Sequence, residues 1–210
     1  MHVALVGNTG VGKSTLVNVL KGEEIAEVNN NVRPCTARTT EYYVVDGGAR
    51  YCIWDTRGLN EGSEKAALPM RLLRRAGILP DADYELKKFL RGRSPRMNLV
   101  LLCIDAKKIR VKVHWKIYNK IYVDFCQKGL RVAVVVMQMG ERDLRGLWKT
   151  TCKDMAAGVV EDFPDARFME AVPKFEELSD RSVKDCRGRI LRLISNACRN
   201  ESGMEHTANK

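Results

Sequence analysis

Nine residues near the N-terminus, Gly7-Asn8-Thr9-Gly10-Val11-Gly12-Lys13-Ser14-Thr15, constrain this chain more than any other segment. They match the pattern G-x-x-x-x-G-K-[ST], with Gly7, Gly12, Lys13 and Ser14 at its fixed places. The flanks fit as well: HVALVG (2–7) is a short β-rich run and KSTLVNVLK (13–21) a helix former closed by Gly22, so the segment reads as a strand-to-helix turn. Glycines let such a turn wrap an oxyanion, amides from about Thr9 to Thr15 converge on it, and the helix N-terminus adds about half a positive charge. Gly7, Asn8, Thr9, Gly10, Val11, Gly12, Lys13, Ser14 and Thr15 are therefore candidate contacts of a nucleotide's phosphates. Lys13 is placed to reach the β- and γ-phosphates, and the Ser14 hydroxyl to ligate Mg²⁺.

At 210 residues the chain is long enough to bury a core unaided, and its pattern alternates strands with helices. TEYYVVD (40–46) and RYCIWD (50–55) read as a hairpin turning at Gly47-Gly48. NLVLLCID (98–105) and RVAVVVM (131–137) have the continuous apolar character of strands covered on both faces of a parallel sheet. A crossover helix with Val113, Ile117, Ile121 and Phe125 on one face is expected between them. A short strand at 167–172 and a helix over about 177–199 complete the pattern. The expected fold is a three-layer α/β domain, its sheet mostly parallel with one antiparallel strand. One domain is expected over 1–199, with two short helices at 69–75 (ended by Gly77) and 83–91 (capped by Asp81 or Asp83, ended by Gly92) in a basic insertion at about 59–97, and a disordered tail at 200–210.

A second motif, Asp55-Thr56-Arg57-Gly58, stands at the end of the hairpin's second strand. An Asp at the C-terminal edge of a strand beside a phosphate loop can hold Mg²⁺, and Gly58 can offer its N–H to the γ-phosphate. With both motifs in place, the chain resembles the TRAFAC class of P-loop GTPases, within it the Era-like, septin-like and AIG-like branches. The resemblance implies a Ras-like G domain that binds GTP and GDP and hydrolyses GTP with Mg²⁺. By the same resemblance Lys13, Thr36 and Gly58 are catalytic, and Ser14, Thr36 and Asp55 bind the metal. Thr36 of RPCTARTT is chosen because it lies 19 residues ahead of Asp55, with Thr39 in reserve.

Two departures from the class bear on function. The residue after Gly58 is Leu59, where Ras-like relatives carry a water-orienting glutamine, so basal turnover is expected to be slow. The guanine-reading N/T-K-x-D is replaced by Met137-Gln138-Met139-Gly140, which leaves Gln138 as a candidate to cover the base and Asp143 or Glu141 as a candidate carboxylate contact. Alternatives to a GTP switch are a nucleotide-binding interaction module with little hydrolysis, and a preference for ATP.

The formal net charge is +10, and its excess sits in the middle of the chain: residues 61–140 carry 17 Lys/Arg against 7 Asp/Glu. That block suits a protein effector or second copy bound through the switch loops and the basic 59–116 region. It also suits nucleic acid, an anionic membrane, or a merely solvated helix face. The seven cysteines are scattered with no C-x-x-C spacing and read as reduced thiols. No apolar run approaches the roughly 18 residues of a membrane span and no secretory layout opens the chain, so a cytoplasmic location is expected.

Overall fold

The computed structural model describes residues 1–22, 39–59, 82–93, 96–106, 121, 130–140, 169–173 and 179–199. Its frame is a six-stranded sheet: β1 (His2–Gly7), β2 (Thr40–Asp46), β3 (Ala49–Asp55), β4 (Leu99–Asp105), β5 (Arg131–Met139) and β6 (Met169–Pro173). The strand order is β2-β3-β1-β4-β5-β6, parallel throughout except for β2, which pairs antiparallel with β3. Three helices are described: α1 (Lys13–Lys21), α2 (Ala82–Arg93) and α3 (Asp180–Arg199). This is the expected three-layer α/β architecture, its sheet mostly parallel with one antiparallel strand.

Alternation along β1 divides the core. Val3 and Leu5 face α1 and α3, packing with Leu16, Leu20, Leu101, Val135, Ile190 and Ile194. Ala4 and Val6 face the other way, with Trp54, Leu86, Leu90, Leu102, Val134 and Ile121. Both faces of the central strands are covered, which is why their sequences run apolar without a break. The expected crossover helix at 113–125 lies outside the described residues apart from Ile121, which is fully buried on the second face. The 69–75 helix and the tail at 200–210 also lie outside.

The hairpin closes through Gly47 (φ 53°) and Gly48 (φ 79°), with Asp46 paired to Ala49. Two consecutive left-handed residues make the tight connection whose twist matches the strands. In that register the main-chain groups of Glu41, Tyr43 and Val45 point to the open side of β2. The Tyr43 carbonyl accepts from Lys21 Nζ at 3.3 Å, and the Val45 carbonyl from Arg187 Nη2 at 3.1 Å.

One helix boundary departs from expectation. α2 runs through Gly92 to Arg93, so Gly92 does not end it, and Asp83 lies inside rather than at its cap. Glycine near a helix end costs only its conformational entropy. Here Arg93 anchors the last turn, its guanidinium 4.0 Å from the centre of the Trp54 ring, itself edge-on to Phe89.

Candidate functional site

The phosphate loop grows out of β1 and is shaped by what lies beneath it. Gly7 pairs with Cys103 of β4, and a Cβ on Gly7 would lie 2.4 Å from the Cys103 carbonyl oxygen. Only glycine permits that approach. Gly10 (φ 75°) and Gly12 (φ 100°) adopt left-handed backbone, so the chain turns back and enters α1 at Lys13 with its first amides directed at the loop. A Cβ on Gly12 would meet Met137 Cε at 3.2 Å, which brings the end of β5 against the loop. Lys13 is buried, its ammonium donating to the carbonyl oxygens of Gly7 at 3.1 Å and Asn8 at 3.2 Å.

The second motif docks onto the first. Ser14 Oγ donates to Asp55 Oδ2 at 2.7 Å, bringing together two oxygens from residues 41 apart. Thr56, buried, donates its hydroxyl to the Leu5 carbonyl at 2.6 Å and so fixes the turn as it leaves β3. Leu59 N donates to the Gly7 carbonyl at 2.9 Å, and Asn8 and Leu59 form a parallel bridge. Gly58 is pressed onto the loop: a Cβ there would lie 2.5 Å from Thr9 Oγ1 and 2.7 Å from the Thr9 main chain. Leu59 is itself buried among Ala4, Val6 and Leu102.

Beneath the loop, burial pushes the Cys103 thiol up to about 12, with Asp55 adding to the shift and Lys13 opposing it. That thiol is a protonated packing group. Burial raises Cys186 likewise, to about 11, and Cys52, Cys103, Cys186 and Cys198 are thiols outside any disulfide.

Gly7 to Thr15, Asp55 and Gly58 thus share one end of the sheet, at the C-terminal edges of its parallel strands. Thr36, Glu141 and Asp143 lie outside the described residues, while Thr39 immediately precedes β2 and Thr40 opens it, opposite Asp55. Gln138 lies at the end of β5 with φ 60°, where the ladder to β6 slips: Val136 pairs Ala171, but Met139 pairs Pro173. Sequence reasoning passed over Thr56 and the main-chain role of Leu59. A hydroxyl placed directly after a buried strand was the available signal for Thr56.

A family model described as 50S ribosome-binding GTPase matches residues 2–137, well over half the chain. The chain belongs to this family of P-loop GTPases. Its match ends at Met137, the first residue of the stretch that replaces the guanine-reading pattern. The tRNA modification GTPase MnmE of Porphyromonas gingivalis is 25% identical over 203 residues, covering 96% of this chain and 37% of the relative. The chain therefore spans little more than a third of that relative's length. Among solved structures, Era of Aquifex aeolicus bound to GDP and aluminium fluoride superposes with a TM-score of 0.60 at 17% identity, covering 92% of this chain and 56% of Era. Toc33 of Arabidopsis thaliana, in complex with GDP and Mg²⁺, has a TM-score of 0.60 at 19% identity, over 96% of this chain and 85% of Toc33. At these identities the two structures speak to the fold. Among the described residues no helix is long and apolar enough to cross a membrane.

Proposed function

We propose that this GTPase-family chain is a slow nucleotide switch that binds GTP and hydrolyses it to GDP and phosphate with Mg²⁺. One observation carries the reading: Ser14 Oγ and the Asp55 carboxylate, from the two motifs, stand 2.7 Å apart at the mouth of the loop. Two hard oxygen donors suit Mg²⁺, which keeps several waters and takes its remaining ligands from phosphate. Ser14 and Asp55 would hold it, joined by Thr36. Held by these residues, the ion would supply positive charge against the negative charge of the phosphates.

The chain's own groups do the rest. The amides of residues 9–15 cradle the phosphates, and Lys13 leaves its loop carbonyls for the γ-phosphate oxygens. Gly58 N–H meets the transferring group, so positive and dipolar charge is already in place where negative charge develops. Leu59 supplies no hydrogen bond to the attacking water, and its burial in the core ties it to the sheet instead. That supports slow turnover, on the order of 10⁻⁴ to 10⁻² per second without a partner. The same feature favours the second reading, a nucleotide-binding interaction module with little hydrolysis.

A single G domain over 1–199, with the basic insertion at 59–97, is the organisation we propose. The switch loops and the 59–116 segment serve as its partner surface, in the first instance for a second copy. Dimerization is important for the GTPase activity of Toc33, and a partner that completes the site would compensate for Leu59.

Single-turnover phosphate release from GTP with Mg²⁺ tests the reading. Slow release abolished in Lys13→Ala supports the switch. Tight binding without Lys13-dependent release supports the module, and turnover of several per second at low protein concentration rejects the slow-switch claim.

A further inference from the structure

Hydrolysis needs a water held in line with the γ-phosphorus, and position 59 does not hold it. The Leu59 side chain is buried with Ala4, Val6 and Leu102, and its N–H is bonded to the Gly7 carbonyl at 2.9 Å. The polar side-chain atom beside the turn belongs to the phosphate loop instead. A Cβ on Gly58 would have Thr9 Oγ1 as its nearest neighbour, at 2.5 Å, with the Thr9 main chain at 2.7 Å. That hydroxyl therefore lies against the very residue whose N–H meets the transferring group in the reading above.

Its circumstances differ from those of the hydroxyls around it. Ser14 donates to Asp55, and Thr56, buried, donates to the Leu5 carbonyl. Thr9 is exposed at the mouth of the loop, and its hydroxyl makes no hydrogen bond among the described residues. Two heavy atoms on its Cβ restrict the side chain to few rotamers. Gly58 packs on its main chain, and the bridge between Asn8 and Leu59 fixes the turn alongside. One donor and one acceptor are thus held in place before any substrate arrives.

We propose that the Thr9 hydroxyl orients the water that attacks the γ-phosphate, a task that position 59 leaves undone. The proposal rests on the GTP-hydrolysis reading above and adds a residue to it. The water oxygen bonds to the γ-phosphorus as the bond from that phosphorus to the bridging oxygen breaks. GDP leaves with the electron pair, and the released phosphate carries the water's protons. Thr9 Oγ1 accepts a hydrogen bond from the water and so turns a lone pair toward phosphorus, keeping its own proton throughout. A neutral hydroxyl gives alignment without charge, which accords with slow turnover.

Single-turnover GTP hydrolysis by the full chain at saturating nucleotide and Mg²⁺ provides the test, on wild type, Thr9→Val, Thr9→Ser and Lys13→Ala. Calorimetric titrations with a non-hydrolysable GTP analogue, and with GDP plus aluminium fluoride, accompany it. Valine keeps the branched shape and removes the hydroxyl, whereas serine keeps the hydroxyl and removes the methyl. Thr9→Val should slow phosphate release about tenfold or more. It should weaken GDP with aluminium fluoride, a mimic of the transferring group, by a similar factor, while analogue affinity stays within about threefold and the melting temperature does not move. Thr9→Ser should recover most of both losses. A threonine that only packs against Gly58 would give the reverse order, with valine harmless and serine harmful.

Thr9→Val at the wild-type rate overturns the proposal, as does Thr9→Ser no faster than Thr9→Val. An equal loss of analogue affinity in Thr9→Val also overturns it, since the hydroxyl would then serve ground-state binding. With release still dependent on Lys13, those results leave the hydrolysis reading standing. Wild-type release that is absent, or indifferent to Lys13→Ala, rejects that reading and the role of Thr9 with it.

Discussion

Single carbon atoms decide the shape of the site at Gly7 and Gly58. A Cβ on Gly58 would lie 2.5–2.7 Å from three Thr9 atoms, two of them main chain, so no rotamer change relieves it. Gly58→Ala is expected to push the turn off the loop and slow single-turnover phosphate release at least tenfold, with the urea midpoint nearly unchanged. Gly7→Ala meets the Cys103 carbonyl at 2.4 Å inside the sheet and should cost stability as well, about 1–3 kcal/mol or more, read from the urea midpoint. The Cys103 thiol carries a pH dependence. Its folded value of about 12 lies above the ordinary 9.0, so the folded state holds the proton that the unfolded chain gives up first. Its contribution is therefore complete below about pH 9 and is lost as pH rises toward 12. The urea midpoint should fall between pH 8 and 10.5, and less steeply in Cys103→Ala; identical slopes would show that the thiol ionises freely in the native state. Residues that work through side-chain identity at fixed spacing, such as Lys13 and Asp55, were legible in the sequence. Thr56 and the reach of Met137 to the loop were not, because their places follow from how a strand end meets the loop in three dimensions.

At the scale of elements, legibility followed the strength of the local signal. α1 is bounded as its sequence states, Lys13–Lys21 with Gly22 left-handed at its end, because both caps are written in glycine. The β2–β3 hairpin is equally plain, since two consecutive glycines admit few alternatives. β5 runs past the apolar stretch that suggested 131–137 to Met139, the bulge and the pairing with β6 carrying it on. Nor did periodicity reveal what joins the layers. Arg187 of α3 donates to the Leu20 carbonyl at 2.8 Å, to Asp46 at 2.8 Å and to the Val45 carbonyl at 3.1 Å. One guanidinium thus ties α3 to the end of α1 and covers the open edge of β2, a position at which unblocked strands recruit other chains. Partial exposure screens the ion pair, so the carbonyl bonds carry most of the effect. Arg187→Met should lower stability by about 1–2 kcal/mol. It should also promote concentration-dependent association in sedimentation velocity; a variant that stays as dispersed as wild type would remove the edge-covering role.

For the whole molecule, the arrangement makes one edge of the sheet answerable to the ligand. Loop, α1 and the Asp55 turn meet there, resting on β4 through Gly7 and Cys103 and touching β5 through Met137. The two cores lie on opposite faces of these same strands, so a triphosphate bound at the edge bears on both. A ligand that binds only the native state at a hundred times its dissociation constant stabilises it by about 2.7 kcal/mol. For a domain of this size that corresponds to a rise in melting temperature of about 5–11 °C. GTP with Mg²⁺ is expected to produce a rise of that order, detected as one cooperative transition by circular dichroism in the helical band and by tryptophan fluorescence alike. Chelating the Mg²⁺ should shrink the shift, since Ser14 and Asp55 would then hold no bridge to the phosphates, and Lys13→Ala should abolish it at the same nucleotide concentration. An undiminished shift in Lys13→Ala would locate the stabilising ligand away from the loop. Two separate transitions, only one of them moved by nucleotide, would mean that the cores melt independently and that the sheet does not transmit binding from one face to the other.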